Sequence, residues 1–271
     1  MMIKISKGIY IHFLTILLFV FCYINRRLEI LAISYFSIFF HEIAHLIAAI
    51  TIGLAPSKIV LLPFGVNLKL KSNIIGSLSD EVILYLSGPL FSVMFAFLSL
   101  LFSKNPYIKL FYYNNIGLFL FNILPILPMD GGVLIKKILS ARVGYKKSDR
   151  ILKFTSFILI SILIILQAYL LYKNKFNFSI LLITIFLTGN IFTNKEKYNL
   201  EFTRELMFYK QKDRNKIKRV KGYQIKWDAN YKELAKDFSR SNHYIIFKED
   251  KQGEIKEILT ERHIIEEILN K

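Results

Sequence analysis

The sequence predicts a polytopic α-helical membrane protein. It has about six transmembrane helices, a small β-hairpin or re-entrant segment between the second and third, and a small α/β module behind them. Three observations predict this. Of the 271 residues, 54% are hydrophobic, 24 of them Phe, and they come in blocks long enough to cross a bilayer, which takes about 20 apolar residues. The cationic residues are unevenly shared between alternate connecting segments. The last eighty or so residues lose the apolar blocks and become charged.

The blocks run over 8–24, 30–54, 82–102, 116–135, 151–172 and 176–192. The fourth is the least regular, because Pro125, Pro128, Asp130, Gly131 and Gly132 interrupt it. Six spans put both termini on one side. Short segments on that side are crowded with Lys and Arg around 4–7, 58–71 and 136–153. The opposite loops carry only Arg26, Arg27, Lys104, Lys109, Lys173 and Lys175. The positive-inside bias therefore makes both termini cytoplasmic. The net charge of +17 thus reports topology in a lipid bilayer, and no direct nucleic-acid role is expected. One cysteine, Cys22, excludes an internal disulfide framework. Lys4 and Lys7 before the first apolar block look like a signal peptide, but no small-residue cleavage site follows, so that block reads as a retained span.

This divides the chain into a membrane domain (1–192), a basic linker (193–221) and an α/β module (222–271). Between the second and third spans, "SKIVLLPFGVNLKLK" (57–71) is rich in β-formers around Pro63 and Gly65, which predicts a short hairpin or re-entrant piece. At membrane depth its backbone groups must be satisfied within the protein or by a wet cavity. In the tail, "YQIKW", "HYIIFKE" and "EIKEILT" read as strands, and "NYKELAKDFSRS" and "ERHIIEEILNK" as helices.

The chemistry lies in "FFHEIAHLIA" (39–48). His41 and His45, four residues apart on a helix, share one face and can grip one metal ion. Glu42 sits one position around, where it can take a proton from a metal-activated water. Inside an apolar span, ionisable groups mark function by default. Two histidines leave a catalytic zinc site one ligand short. Glu29, Asp80, Glu81 and Asp149 lie at span ends or in loops, whereas Asp130, in "FNILPILPMDGGVL" (121–134), lies deep in apolar context. Pro125, Pro128, Gly131 and Gly132 open the helix beside it and free backbone groups to face a cavity. His12 reads as a polar lining residue, and His243 and His263 as surface positions.

H-E-x-x-H in one span with N-x-x-P-x-x-P-x-D-G-G in a later one resembles the site-2 protease family of intramembrane zinc metalloproteases. The matching residues are His41, Glu42, His45, Asn122, Pro125, Pro128, Asp130, Gly131 and Gly132. The resemblance implies one Zn²⁺ per chain on His41, His45 and Asp130, with Glu42 as general base and peptide-bond hydrolysis in or near the bilayer. It places Asn122 near the site, against substrate or the developing oxyanion. "SGPLFS" (87–92) is similar to the family's A-G-P-x-x-N, with Ser92 where Asn is usual, and "PFGV" (63–66) departs from P-x-G-G at Val66. Those departures weaken a detailed role for the third span and the hairpin.

The tail resembles a degraded cystathionine-β-synthase-type (CBS) module that keeps Gly253 and "ILTERHII". Six spans with one such module resemble the family's sporulation branch. That implies a membrane around the forespore, a late sporulation sigma-factor precursor as substrate, and membrane-bound inhibitory partners. It also implies ATP at the tail and homo-oligomers formed through it. Another membrane-bound regulator, such as an anti-sigma factor, is the alternative substrate. A metal transporter or receptor would use the same ligands, but needs no general base beside them and usually shows repeated halves, which this chain lacks. A non-catalytic scaffold would have no use for an intact triad.

Overall fold

The computed structural model describes residues 2–6, 9–62, 65–70, 77–102, 105–175, 177–191, 202–203, 206, 219–239 and 241–270. They fall into two compact units. One comprises 1–124 with 129–131, and the other 125–128 with 132–271. The division falls at 124–132, well before the boundary at 192 drawn from composition.

In the first unit, β1 (Met2–Ser6) and β2 (Ile9–His12) lead into α1 (Phe13–Ile24) and α2 (Leu28–Thr51). Then come β3 (Pro56–Leu62), β4 (Gly65–Leu70), α3 (Leu78–Ser99, extended by a 3-10 turn to Phe102) and α4 (Pro106–Ile123). The expected 57–71 hairpin is present as β3–β4, with Val60 opposite Asn67. It belongs to a four-stranded sheet in the order β1-β2-β3-β4, in which β2 runs parallel to β3 and pairs Tyr10 with Val60. This corrects the first apolar block, which was drawn as helix from residue 8. Residues 9–12 are a strand, and α1 has only 12 residues. Ile9, Tyr10 and Ile11 are β-branched and aromatic, and pairing with β3 satisfies a strand edge that would otherwise be open.

The helices of this unit are built inside-out relative to a soluble bundle. On α2 the buried residues are Leu31, Ser37, His41, Ala44, Ala48 and Ala49. On α3 they are Glu81, Leu84, Gly88, Pro89, Ser92, Ala96 and Ser99. Large apolar side chains such as Phe36, Phe39, Phe97 and Leu101 point outwards. Small residues at the seam let helices approach closely in lipid, and polar groups hydrogen-bond across it. Asn115 Nδ2 on α4, fully buried, donates to Ser37 Oγ (3.1 Å), and Asn114 Nδ2 donates to Ser34 Oγ (3.1 Å). Local signals set the helix starts. Ser77 Oγ accepts from Asp80 N at the head of α3, and Asn105 Oδ1 from Tyr107 N before Pro106 on α4, both N-caps satisfying orphan donors.

The second unit holds α5 (Asp130–Val143) from residue 132 onwards, α6 (Tyr145–Tyr172) and α7 (Phe178–Ile191). It also holds the tail module: β5 (Arg219–Lys226), α8 (Tyr231–Ala235), β6 (Asn242–Glu249), β7 (Ile255–Thr260) and α9 (Glu261–Asn270). β5 and β6 are parallel, β6 and β7 antiparallel, in the order β5-β6-β7. The expected helix over 230–241 is cut to the single short α8. Strand β5 begins at Arg219, inside the segment assigned to the linker. Most of that linker lies outside the described residues, but Phe202 and Leu206 are buried in the module's core beside Phe238, Tyr244, Ile246 and Ile264.

That core also contains Tyr145, the first residue of α6. Gly144 turns the chain from α5 to α6 at φ +90, a left-handed conformation that suits glycine. A Cβ there would also press on the Asp237 carbonyl. Lys146 N donates to Lys236 O, and Ser241 N to Ala141 O. Beside the turn, the buried Lys136 ammonium pairs with Asp149 (2.9 Å), which Lys153 also reaches (2.8 Å). The tail is therefore anchored on the α5–α6 elbow.

Among the described residues, three helical runs are long and apolar enough to cross a membrane: Leu28–Thr51, Leu78–Phe102 and Tyr145–Tyr172. The expected fourth span is not one helix. It is the end of α4, an irregular stretch, and the start of α5.

Two outcomes follow from the elbow. Tyr145→Ala should destabilise the module by about 3–5 kcal/mol, the usual result of removing a buried aromatic ring, read as accelerated proteolysis within 219–270. The Lys146 and Lys236 ammonium groups hold the Glu233 carboxyl down to about 2. A carboxylate depressed in the folded state stabilises it above the unfolded pKa of about 4.5, and that contribution fades as pH falls towards 2. Carboxyl-carbon NMR of Glu233 should show this low titration, and Lys146→Met should return it towards the ordinary range.

Candidate metal centre

α2 carries His41 and His45 one turn apart with their imidazoles on one side of the helix. Their Nε2 atoms are 3.3 Å apart. Asp130 Oδ2 lies 3.2 Å from each. The three side chains are 5%, 12% and 20% exposed. All three residues belong to the first compact unit.

Asp130 reaches this point because the helix before it is stopped. Leu124 precedes Pro125 and is extended (φ −60, ψ 141), as a residue before proline prefers. The chain then passes through 124–129, with a cis Leu127–Pro128 bond, and re-enters helix at Asp130. A carboxylate in the first turn of α5 also complements the positive end of that helix. Backbone groups freed by the break are satisfied from α6. Leu127 N donates to Ser156 Oγ (3.1 Å), and Thr155 Oγ1 donates to Pro125 O (2.8 Å). The glycines allow the re-entry, since a Cβ on Gly131 would fall on the Ile123 carbonyl and one on Gly132 on the Ile126 carbonyl.

α3 forms the other wall. His45 Nδ1 donates to Leu84 O (2.7 Å) and lies 3.2 Å from Ser87 Oγ, whose own hydroxyl donates to the same carbonyl. His41 Nδ1 is 2.9 Å from Ser92 Oγ. Gly88 lies between these contacts, and a Cβ there would strike His45 Nε2 and come within 2.7 Å of His41 Nε2. The bare glycine backbone keeps the metal-facing side of both rings open.

The donor set fits zinc. A tetrahedral ion with bonds of about 2.0–2.1 Å separates its ligand atoms by roughly 3.3–3.4 Å. The observed triangle of 3.2, 3.2 and 3.3 Å is one face of such a tetrahedron. Two neutral imidazoles and one carboxylate are one of the ligand sets found in catalytic sites with a fourth position open. Among the described residues this is the one cluster of His, Cys, Asp or Glu side chains able to hold a metal.

The structure thus brings together His41, His45 and Asp130. Glu42, half-buried, follows His41 on α2. Asn122 lies on α4, where its Nδ2 donates to Leu118 O (2.9 Å) one turn back in its own helix. Sequence reasoning passed over Leu84, Ser87, Gly88 and Ser92 as individual contributors, and Thr155 and Ser156 altogether. The "SGPLFS" resemblance was the one signal that pointed at the third span.

Residues 103–166 match the family model for peptidase family M50. Stage IV sporulation protein FB of Bacillus subtilis is 23% identical over 185 residues, covering 65% of this chain and 63% of that protein. Zinc metalloprotease MJ0392 of Methanocaldococcus jannaschii is 33% identical over 123 residues, covering 42% and 35%. The chain therefore spans less than two-thirds of either relative's own length. Among solved structures, the site-2 protease from Methanocaldococcus jannaschii superposes with a TM-score of 0.55 at 26% identity, over 70% of this chain and 93% of that one. Fold and site together are those of a helical protein with three runs long and apolar enough to cross a membrane and one cluster able to hold a metal, among the described residues. Residues 103–166 are thus similar to peptidase family M50, and the fold is similar to that of a site-2 protease.

Gly88→Ala should abolish zinc uptake by the purified protein, because the new methyl would press on both Nε2 atoms. Metal analysis should read well under one-tenth of an equivalent. Gly117→Ala, where a Cβ meets nothing within 4 Å, should retain a full one.

Proposed function

We propose that this protein is an intramembrane zinc metalloprotease that hydrolyses a peptide bond of a membrane-associated protein, a sporulation sigma-factor precursor in the first instance. The observation that carries the reading is the triangle of His41 Nε2, His45 Nε2 and Asp130 Oδ2 beside Glu42, with ligand spacing matched to zinc. Bound zinc supplies a Lewis acid that brings the pKa of a water towards neutrality and stabilises negative charge developing on the scissile carbonyl oxygen.

His41 and His45 hold neutral imidazole lone pairs at the centre, and Asp130 contributes the one negative charge among the ligands. Glu42 takes the proton of the attacking water and passes it to the leaving amine, as general base and then general acid. Asn122, whose amide donates to its own helix here, is the residue that the resemblance assigns to substrate or the developing oxyanion. Edge strands β1 and β4 of the sheet offer backbone groups to an extended substrate, which can add as a further strand. α1, α4 and α7 complete the six spans in this reading.

The same resemblance assigns the tail a CBS-type regulatory role. A cavity of about 270 Å³ beside the module is lined by Arg142, Lys147, Lys221, Tyr223, Asp237 and Tyr244, and ATP as its ligand rests on the resemblance. Cytoplasmic termini rest on the positive-inside bias, and a forespore membrane, inhibitory membrane partners and pairing through the tail rest on the resemblance. Another membrane-bound regulator, such as an anti-sigma factor, is the alternative substrate.

Co-expression with candidate precursors tests the proposal. The wild type should yield a shortened product, and Glu42→Gln should lower its formation by at least 10²-fold, the usual scale of lost general-base catalysis, while retaining zinc. Cleavage by Glu42→Gln at the wild-type rate would overturn the role of Glu42.

A further inference from the structure

The two imidazoles are oriented by different kinds of group. Leu84 O can only accept, so His45 carries a proton on Nδ1, and its neutral ring presents a lone pair at Nε2. Ser92 Oγ, 2.9 Å from His41 Nδ1, can accept or donate. When it accepts, His41 presents its Nε2 lone pair to the metal. When it donates, Nε2 is left protonated and cannot ligate. Both residues are buried, Ser92 at 1% and His41 at 4% exposed, so no bulk water competes for Nδ1.

We propose that Ser92 is the positioning residue of this centre, its hydroxyl accepting the His41 Nδ1 proton and thereby fixing the tautomer and ring angle that aim Nε2 at the metal. This rests on the zinc reading above. The resemblance has Asn at this position, where this chain has Ser92. The geometry makes it a shorter acceptor of the same kind, set on the α3 face one turn beyond Gly88. The assignment also explains why Gly88 and Ser92 are four apart: one leaves room for the metal-facing edge of the rings, and the other meets the far edge of His41. Partners on the far nitrogen of a ligating histidine are commonly worth 10–100-fold in metal affinity.

The test uses the full chain in detergent, comparing wild type, Ser92→Ala and Ser99→Ala. Ser99 is a second buried serine on α3, donating to Ala96 O, and serves as the control for losing a buried hydroxyl. Zinc affinity is measured by competition with a chromophoric chelator, and the visible spectrum of the cobalt-substituted protein reports ligand geometry. Imidazole nitrogen NMR of the zinc form reports tautomer. Ser92→Ala should bind zinc 10–100-fold more weakly, with altered cobalt bands and His41 in mixed tautomers. Ser99→Ala should match wild type in all three. Thermal unfolding of the metal-free forms should be alike for the two variants, separating a metal effect from misfolding. Zinc affinity and cobalt spectrum unchanged in Ser92→Ala, with a zinc-loaded wild type, would overturn the proposal alone. A wild type that binds no zinc would overturn the metal reading and this assignment with it.

Discussion

Two imidazole nitrogens and one carboxylate oxygen held 3.2–3.3 Å apart within apolar helices are the constraint on which the rest depends. Lone pairs and charge brought together away from water need a cation or protons between them. A metal ion meets that need with its own charge. Much else in the first unit follows from holding the three atoms in place. α2 presents its small and polar face inwards, α4 stops short before Pro125, and α5 starts on the ligand itself.

α3 is the least obvious part of this arrangement. It contributes no metal ligand, yet it touches both histidines through Leu84, Ser87 and Ser92 and clears their metal-facing side with Gly88. A proline next to that glycine removes one backbone donor from the helix in the turn where Leu84 O serves a side chain. Small residues along the same face allow close approach to α2, which shortens the reach from α3 backbone to imidazole. Packing and chemistry are therefore met by the same residues.

The second unit ties its tail module to helices by shared core. Tyr145 belongs at once to α6 and to the module, and the surrounding Lys136–Asp149 and Lys146–Glu233 pairs differ in kind. The first is buried and would be costly to break from one side. The second is exposed and of modest worth. Thr155 and Ser156 of α6 supply the hydrogen bonds that the proline-broken stretch 125–128 lacks.

Local rules determined much of this protein by sequence alone. Four-residue spacing of His41 and His45 puts them on one helical face wherever that helix lies. Pro125 and Pro128 stop a helix by covalent geometry and sterics, and Gly131 and Gly132 leave room for the next one to begin. Alternating apolar patterns set the strands of the tail. Tertiary structure decided what depends on partners far along the chain. Residues 9–12 became a strand because β3 was there to pair with, which no local propensity records. Ser92 meets His41, and Asn122 turns back to its own helix, because helix rotation is set by packing across the seam. Phe202, Leu206 and Tyr145 entered the module core because a unit of about fifty residues buries too little surface by itself and takes apolar side chains from its neighbours.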